Sequence, residues 1–148
     1  MRNLEEDYSR YEAINEAYKA AGESEEAGEK ARAKYQELLE EVRTEGKDYG
    51  NLMRLYTEMK ERGNAYIDIK DPSEYRDEAH MIETMRTYGI KAFTFTSGWS
   101  SAMESLWELE QAGAKNQGMV EVNGSKTYDF SKKEETFEKK HGFLFTID

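Results

Sequence analysis

A serine-rich loop, Ser97-Gly98-Trp99-Ser100-Ser101, is the part of the sequence that most resembles a binding or catalytic site. It lies between an alternating segment that predicts a strand and a periodic segment that predicts a helix. Ligands of α/β structures often bind where the carboxyl end of a strand leads into a helix. Backbone amides and the positive end of the helix dipole can hold an anion there. In this interpretation Ser97, Ser100 and Ser101 contact the anion and Trp99 stacks on the ligand.

The same loop has a structural interpretation, which the sequence favours. Ser101 and Glu104 form S-x-x-E, the pattern of a capping box at a helix start, and Ser100 is an alternative cap. A nucleophile elbow would need G-x-S-x-G, of which only Gly98 is present, and a phosphate-binding loop would need a lysine that is missing. We therefore expect mainly a strand-to-helix corner with a cap.

No catalytic residue, metal site or cofactor is predicted, and we expect a non-enzymatic protein. A serine hydrolase needs a histidine base, but neither His80 nor His141 has a partner that the sequence identifies, and surface positions are favoured for both. His80 and Glu83 share a helix face as H-x-x-E, yet one histidine and one glutamate do not fix a metal. Cysteine is absent, which removes thiolate chemistry.

The two tryptophans lie eight residues apart, in the loop and in the helix that follows it. Core packing is the expected role of Trp107. Trp99, at the loop tip, is predicted either to cover the core or to be an exposed anchor for a partner.

The formal net charge of −10 argues against direct binding to nucleic acid or to an anionic membrane, because such binding needs Lys and Arg. The acidity is concentrated in residues 1–45, which hold 13 acidic and 7 basic residues. Glutamates on neighbouring helices, interleaved with tyrosines, would give a negative surface suited to a basic cleft. The predicted partner-binding residues, besides Trp99, are Glu25, Glu26, Glu29, Glu37, Glu40 and Glu41.

Apolar spacing of three and four residues predicts a helix over 4–21 and a second helix capped by Ser24, joined as an antiparallel hairpin. A third helix is expected from about Asp48 to Gly63. Ala65–Lys70 and Ile90–Thr96 alternate like strands, with a helix starting at a Ser73 cap between them. This order is typical of a βαβ unit with a parallel strand pair.

The last third of the chain predicts further strands. Gly118–Val122 is read as a strand followed by a hairpin turn at Asn123-Gly124, with Ser125–Phe130 returning. Lys132–Lys140 is a charge run that we expect to be a solvated excursion, and Gly142–Asp148 a final strand.

Together these elements predict one domain over 1–148, comprising an acidic helical hairpin (1–45) and an α+β core (46–148). The fold class is α+β, a small mixed sheet of three to five strands with βαβ crossover helices and an N-terminal helical hairpin. No apolar run reaches membrane-spanning length, and the acidic N-terminus is unlike a targeting signal. A cytoplasmic location is expected.

The segments Arg62–Gly124, from R-G-N-A-Y-I-D-I through F-T-F-T-S-G-W-S-S-A to G-M-V-E-V-N-G, and Phe143–Asp148, F-L-F-T-I-D, resemble a family of small uncharacterised proteins. That family is associated with phages, plasmids and conjugative elements of Gram-positive bacteria. The resemblance implies context more than chemistry. Accessory proteins of mobile elements are commonly inhibitors of host defence, and small acidic ones often block nucleic-acid-binding effectors such as CRISPR nucleases.

The sequence therefore leads to the hypothesis of a non-enzymatic acidic protein that occupies the basic cleft of a host effector, as an anti-CRISPR protein does. The alternative from another class is a ligand- or anion-binding α+β domain, or small enzyme, that uses the Ser97–Ser101 loop.

Overall fold

The computed structural model describes every residue, Met1–Asp148, and the chain divides into two compact units, Met1–Arg54 and Leu55–Asp148. The division lies inside helix α3, Lys47–Glu61, and therefore downstream of the boundary expected after residue 45. The expectation of a single domain stays a prediction.

The first unit is built on the predicted helical hairpin, formed by α1 (Leu4–Ala21) and α2 (Glu25–Glu45). Each helix begins at a polar cap: the Asn3 side chain accepts from the Glu6 amide at 3.0 Å, and Ser24 Oγ accepts from the Ala27 amide at 3.3 Å. Gly22, at φ 55°, ends α1 in a conformation that favours glycine. The hairpin is confirmed, with the bounds of α1 as expected.

The buried side of this unit combines an apolar stripe with a polar cluster. The stripe includes Ile14 of α1 and Ala31 and Leu38 of α2, at 8%, 2% and 4% exposure. The polar cluster centres on Asp7, which is 4% exposed and accepts from both Arg2 and Tyr49. Because a buried carboxylate is costly without partners, these contacts are what make Asp7 tolerable there.

The second unit contains a four-stranded mixed sheet, and the α+β fold class is confirmed. The strands follow the order β1-β2-β4-β3, with β1 and β2 parallel and the other pairs antiparallel. A 3-10 helix (Pro72–Tyr75) and α4 connect β1 to β2 as the βαβ pattern predicts. The elements are β1 (Ile67–Ile69), α4 (Glu78–Thr87), β2 (Ala92–Phe95), α5 (Ala102–Gln111), β3 (Lys115–Asp129) and β4 (Glu134–Thr146).

Aromatic and aliphatic side chains fill the core of the second unit. Phe93 of β2 and Phe145 of β4 stack with ring centroids 5.4 Å apart, and both are fully buried. Alternation along the strands places these rings on one face, and the buried residues of α4 and α5 provide the remaining apolar surface. Those helix residues are Met81, Ile82, Met85 and Leu109.

The predicted start of α4 was wrong. Ser73 belongs to the short 3-10 helix, and the cap of α4 is Asp77, whose side chain accepts from the His80 amide at 2.8 Å. Asp71 caps the 3-10 helix instead, accepting from the Ser73 amide at 3.0 Å. Two successive Asx caps therefore replace the one serine cap.

The last third of the chain also differs from expectation, because β3 and β4 form one long antiparallel ribbon. Asn123-Gly124 is not a turn but lies within β3, beside a bulge between Asn123 and Lys126. The turn is at 130–133, where Asp129 Oδ1 accepts from the Ser131 and Lys132 amides. The predicted excursion, Lys132–Lys140, is instead the end of this turn followed by the outer half of β4.

Side-chain hydrogen bonds fix the bulge position. Asn64 exchanges two bonds with the backbone of Asn123, at 2.9 and 3.0 Å, and the Asn123 side chain donates to the Arg62 carbonyl at 2.8 Å. These bonds satisfy backbone groups at the outer edge of β3. Asn123 therefore joins the ribbon to the end of α3.

None of the helices is both long and apolar enough to cross a membrane.

Candidate functional site

The outward face of α2 carries most of the predicted partner-binding glutamates. At 100° per residue, Glu26, Glu29, Glu37 and Glu40 fall within about 80° of arc, opposite the buried Ala31 and Leu38, and Glu25 flanks them. All five side chains are exposed. From Glu25 to Glu40 the face extends along the helix axis by about 22 Å.

Glu41 is different from the other five, because it is held by cations within its own unit. Its carboxylate accepts from Arg10 at 2.6 Å and from Arg2 at 3.2 Å. These bonds, that from Arg10 first, lower the pKa of Glu41 from 4.5 to about 2. Arg2 also binds Asp7, so this set of contacts ties α2 to α1 and takes Glu41 out of the outward face.

Two of the outward glutamates have a cationic neighbour on the same helix. Lys30 lies 3.8 Å from Glu26, and Arg43 lies 3.3 Å from Glu40, with all four side chains well exposed. Exposed pairs of this kind contribute about 0–1 kcal/mol, so they open readily when another cation competes. Glu25, Glu29 and Glu37 form no ion pair.

Tyrosines of the hairpin lie on the same side of α2 as the buried Ala31, opposite the outward glutamates and not among them as the sequence predicted. Tyr11, Tyr18 and Tyr35 line a shallow cavity of about 250 Å³ between α1 and α2, together with Arg32. Tyr18 is 55% exposed. Tyrosine and arginine are typical of interface hot spots.

A separate groove lies in the second unit, where the parallel strands β1 and β2 end. Its volume is about 1070 Å³, and it is open to solvent. The chain after β1 forms one wall, the Ser97–Ser101 loop after β2 and the start of α5 form another, and the start of α4 completes it. This is the position at which ligands bind in open α/β sheets.

Large apolar side chains are exposed along this groove, which we name the α5 groove. Trp99, Met103 and Trp107 are 69%, 81% and 59% exposed and line it at spacings of four residues. The predicted core position of Trp107 was wrong: Ser105 and Leu109 form the inward side of α5. Trp99 does not cover the core, because it is exposed, and its role as an anchor for a partner stays a prediction.

The predicted capping box was also wrong. Ser101 is the residue before α5, but its side chain makes no cap hydrogen bond. Ser97 Oγ instead accepts from the Trp99 amide at 3.2 Å, which organises the loop internally. Only two of the three candidate serines, Ser97 and Ser101, line the α5 groove, while Ser100 is exposed outside it.

The charges around the α5 groove disfavour an anionic ligand. Its lining contains one cation, Lys70, against five carboxylates, and like charges raise the cost of bringing an anion there. Three of these carboxylates have bonds within the protein, for example Glu78, which accepts from Ser105 at 2.8 Å. Glu104 and Glu108, one turn apart on α5, are exposed with no ion pair. The five are Asp71, Asp77, Glu78, Glu104 and Glu108.

A half-buried carboxylate, Asp68 of β1, lies on the sheet. Burial raises the pKa of Asp68, opposed by Thr94 and Thr96, whose hydroxyls each donate to it at 2.8 Å. Burial lowers the pKa of Lys70, and the neighbouring Lys140 lowers it further. Asp68 thus has both oxygens occupied by hydroxyl donors, which is the arrangement of a structural carboxylate.

The two histidines lie in different elements, His80 on α4 and His141 on β4. His80 Nδ1 lies 2.7 Å from Arg76 Nη2, and His141 is exposed on β4 opposite Glu121. Nowhere in Met1–Asp148 do three or more His, Asp or Glu side chains group in a way that could hold a metal ion.

Sequence reasoning missed Met103 and the exposure of Trp107. A signal for them existed: the spacing Trp99, Met103, Trp107 places three apolar residues on one helix face, while Ser105 and Leu109 mark another.

Comparison with protein families gives one match, to a family described as a domain of unknown function, DUF7698, over residues 51–147. No curated protein and no solved structure matches the chain. The family description assigns no activity, partner or origin, so association with mobile elements stays a prediction. Because the match covers more than half of the sequence, the chain belongs to the DUF7698 family.

Proposed function

We propose that this protein is a non-enzymatic acidic interaction protein that docks on a partner with a basic surface. The observation that carries the proposal is the outward face of α2, where Glu25, Glu26, Glu29, Glu37 and Glu40 are all exposed. Most of them have no role in the packing of the hairpin, whose buried residues lie on the opposite side of α2. A surface of this kind attracts a basic partner and accelerates the encounter.

The spacing of these carboxylates supports a nucleic-acid-binding effector as the partner. One strand of a duplex carries a phosphate every 3.4 Å, hence about six phosphates in the 22 Å covered by this face. Five carboxylates over the same length approach that charge density. The proposal, in its more specific form, is an inhibitor of a host defence effector that occupies the cleft for DNA or RNA, in the manner of an anti-CRISPR protein.

The hairpin is suited to this role because the face is held in place. Arg2 and Arg10 of the first unit both bind Glu41 on α2, and the buried Ala31 and Leu38 fix the rotation of the helix. A partner then meets carboxylates whose backbone is already ordered, which lowers the entropy cost of association.

The test begins with purified CRISPR effector nucleases as defined partners. Binding is measured by titration calorimetry at about 50 mM and 300 mM salt, and labelled target DNA reports displacement from the cleft. We expect binding that weakens with salt and DNA that is released on addition of the protein. Absence of binding across the panel, or binding with no loss of bound DNA, would overturn the effector proposal.

Matched charge reversals localise the contact. Glu29→Lys with Glu37→Lys changes the α2 face, and Glu134→Lys with Glu138→Lys makes the same change in net charge on exposed positions of β4. We expect the α2 pair to weaken binding by tenfold or more and the β4 pair by much less. Equal losses would show that only net charge matters and would refute a specific α2 face.

A further inference from the structure

The α5 groove has the composition of a protein-docking site and is independent of the α2 face. Trp99, Met103 and Trp107 expose large apolar surfaces side by side. Tryptophan and methionine are enriched at interfaces, and a monomer rarely exposes several large apolar side chains together without a use for them. The apolar row and the cavity that it lines are both features of a protein-docking site.

Negative charge lies beside the apolar row. Glu104 and Glu108 are four residues apart on α5, adjacent in sequence to Met103 and Trp107, and no cation of the protein pairs with them. Like charges at this spacing destabilise a helix. A partner cation placed between the two carboxylates would remove that repulsion. The groove therefore combines an apolar row with acidic side chains beside it.

We propose that the α5 groove binds a basic amphipathic helix of a partner protein. Apolar side chains at positions i and i+4 of such a helix are separated by about 6 Å along the helix axis, which equals the separation of Met103 and Trp107 on α5. Lysine or arginine beside those anchors then reaches Glu104 and Glu108. Helix-in-groove recognition uses this combination of apolar anchors and flanking charge.

The groove geometry favours a helix over an added strand. Its walls are loops and helix starts, its apolar row belongs to a helix and the loop before it, and none of its lining residues belongs to a strand. Strand addition requires an open sheet edge. The volume of about 1070 Å³ leaves room for several large side chains.

The protein contains its own probe for this proposal. Its two tryptophans, Trp99 and Trp107, both line the α5 groove, so tryptophan emission reports on this site alone. A synthetic helical peptide with Leu at i, i+4 and i+7 and Lys at flanking positions is titrated into the full-length protein. We expect a saturable blue shift of the emission.

Variants and control peptides decide between interpretations. Met103→Ala is expected to raise Kd by about 30-fold or more, the scale of a hot-spot residue, while Phe130→Ala, exposed outside the groove, leaves it unchanged. Glu104→Lys with Glu108→Lys should abolish binding, and a peptide with Glu in place of Lys should not bind. Circular dichroism confirms that each variant is folded.

Three outcomes would overturn the proposal. They are no blue shift at any peptide concentration, equal binding of the Lys and Glu peptides, and unchanged affinity of folded Met103→Ala. A blue shift that follows protein concentration without peptide would assign the groove to a second copy of the chain and would also overturn it. Tryptophan emission reports on the α5 groove and not on the α2 face, so failure of these measurements leaves the proposed function standing.

Discussion

Replacement of Arg2 by methionine should destabilise the protein strongly, because Arg2 is the principal partner of a buried carboxylate. Arg2 donates to the two oxygens of Asp7 at 2.9 and 2.6 Å, and Tyr49 donates a further bond. Asp7 is 4% exposed, so water cannot replace the lost donors. Breaking a buried pair by removing one partner costs about 3–5 kcal/mol.

The magnitude can be read from urea unfolding. With a slope of about 1–3 kcal/mol per molar urea, a loss of this size lowers the midpoint by about 1 M or more. It should lower Tm by about 2–4 °C for each kcal/mol. Tyr49→Phe removes one hydrogen bond to the same carboxylate and should cost about 1.5–3 kcal/mol.

The controls separate this effect from the general loss of a charge. Arg43→Met breaks the exposed pair with Glu40, where the side chains are 77% and 68% exposed, and should change stability by less than about 1 kcal/mol. The double variant Arg2→Met, Asp7→Asn should recover part of the loss, since no uncompensated charge remains. Equal effects of Arg2→Met and Arg43→Met would refute the assignment of Asp7 as a buried, partner-dependent carboxylate.

Three further predictions concern a close backbone approach, acid stability and the serine loop. Gly142→Ala should lower the free energy of unfolding in urea by about 1–3 kcal/mol, because its Cβ would lie 2.5 Å from the Phe95 carbonyl oxygen. The control Gly50→Ala, which has open space in α3, should be neutral or stabilising. Equal losses for the two variants would contradict the close approach at Gly142. Because the pKa of Glu41 is lowered in the folded protein, its contribution to stability is present above pH 5 and is lost as pH falls towards about 2. Glu41→Gln should therefore reduce the fall in the free energy of unfolding over this pH range. An unchanged fall would show that the bonds from Arg10 and Arg2 do not stabilise the folded protein. Alanine at Ser97, Ser100 and Ser101 together should leave displacement of DNA from a basic partner within about twofold, because the α2 glutamates are unchanged, and a loss of displacement would favour the ligand-binding alternative.

The helical hairpin could be predicted because local signals agree there. Apolar spacing, the caps Asn3 and Ser24 and the glycine at 22 all specify the same bounds. The βαβ unit was predictable for a similar reason. The spacing of its apolar residues changes from two to 3.6 residues and back, and few chain topologies connect a strand, a helix and a strand in that order.

The β3–β4 ribbon could not be read from periodicity. Outer residues such as Glu134 and Lys139 are exposed, so no apolar face marks the strand, and a charge run looks the same in a loop. Asn123-Gly124 has the composition of a hairpin turn, but tertiary bonds from Asn64 hold Asn123 within a strand. The competing turn signal was Asp129 followed by Ser131.

The candidate site was predictable in composition more than in geometry. The exposed glutamates of α2 follow from charge and helix phase. Glu41 does not, because its partners Arg2 and Arg10 lie more than thirty residues away in sequence. The exposure of Trp107 depends on which side of α5 faces the sheet. Because α5 has apolar residues on both sides, its sequence alone does not determine which side is buried.

Displacement of nucleic acid from a basic partner is the measurement that tests the central claim most directly. Fluorescence anisotropy of labelled DNA bound to an effector nuclease is followed while the protein is added, at low and at high salt. We predict that anisotropy falls with the wild type and with Glu134→Lys, Glu138→Lys, and stays high with Glu29→Lys, Glu37→Lys. No displacement by the wild type across the effector panel, or equal displacement by the two reversed variants, would contradict the account.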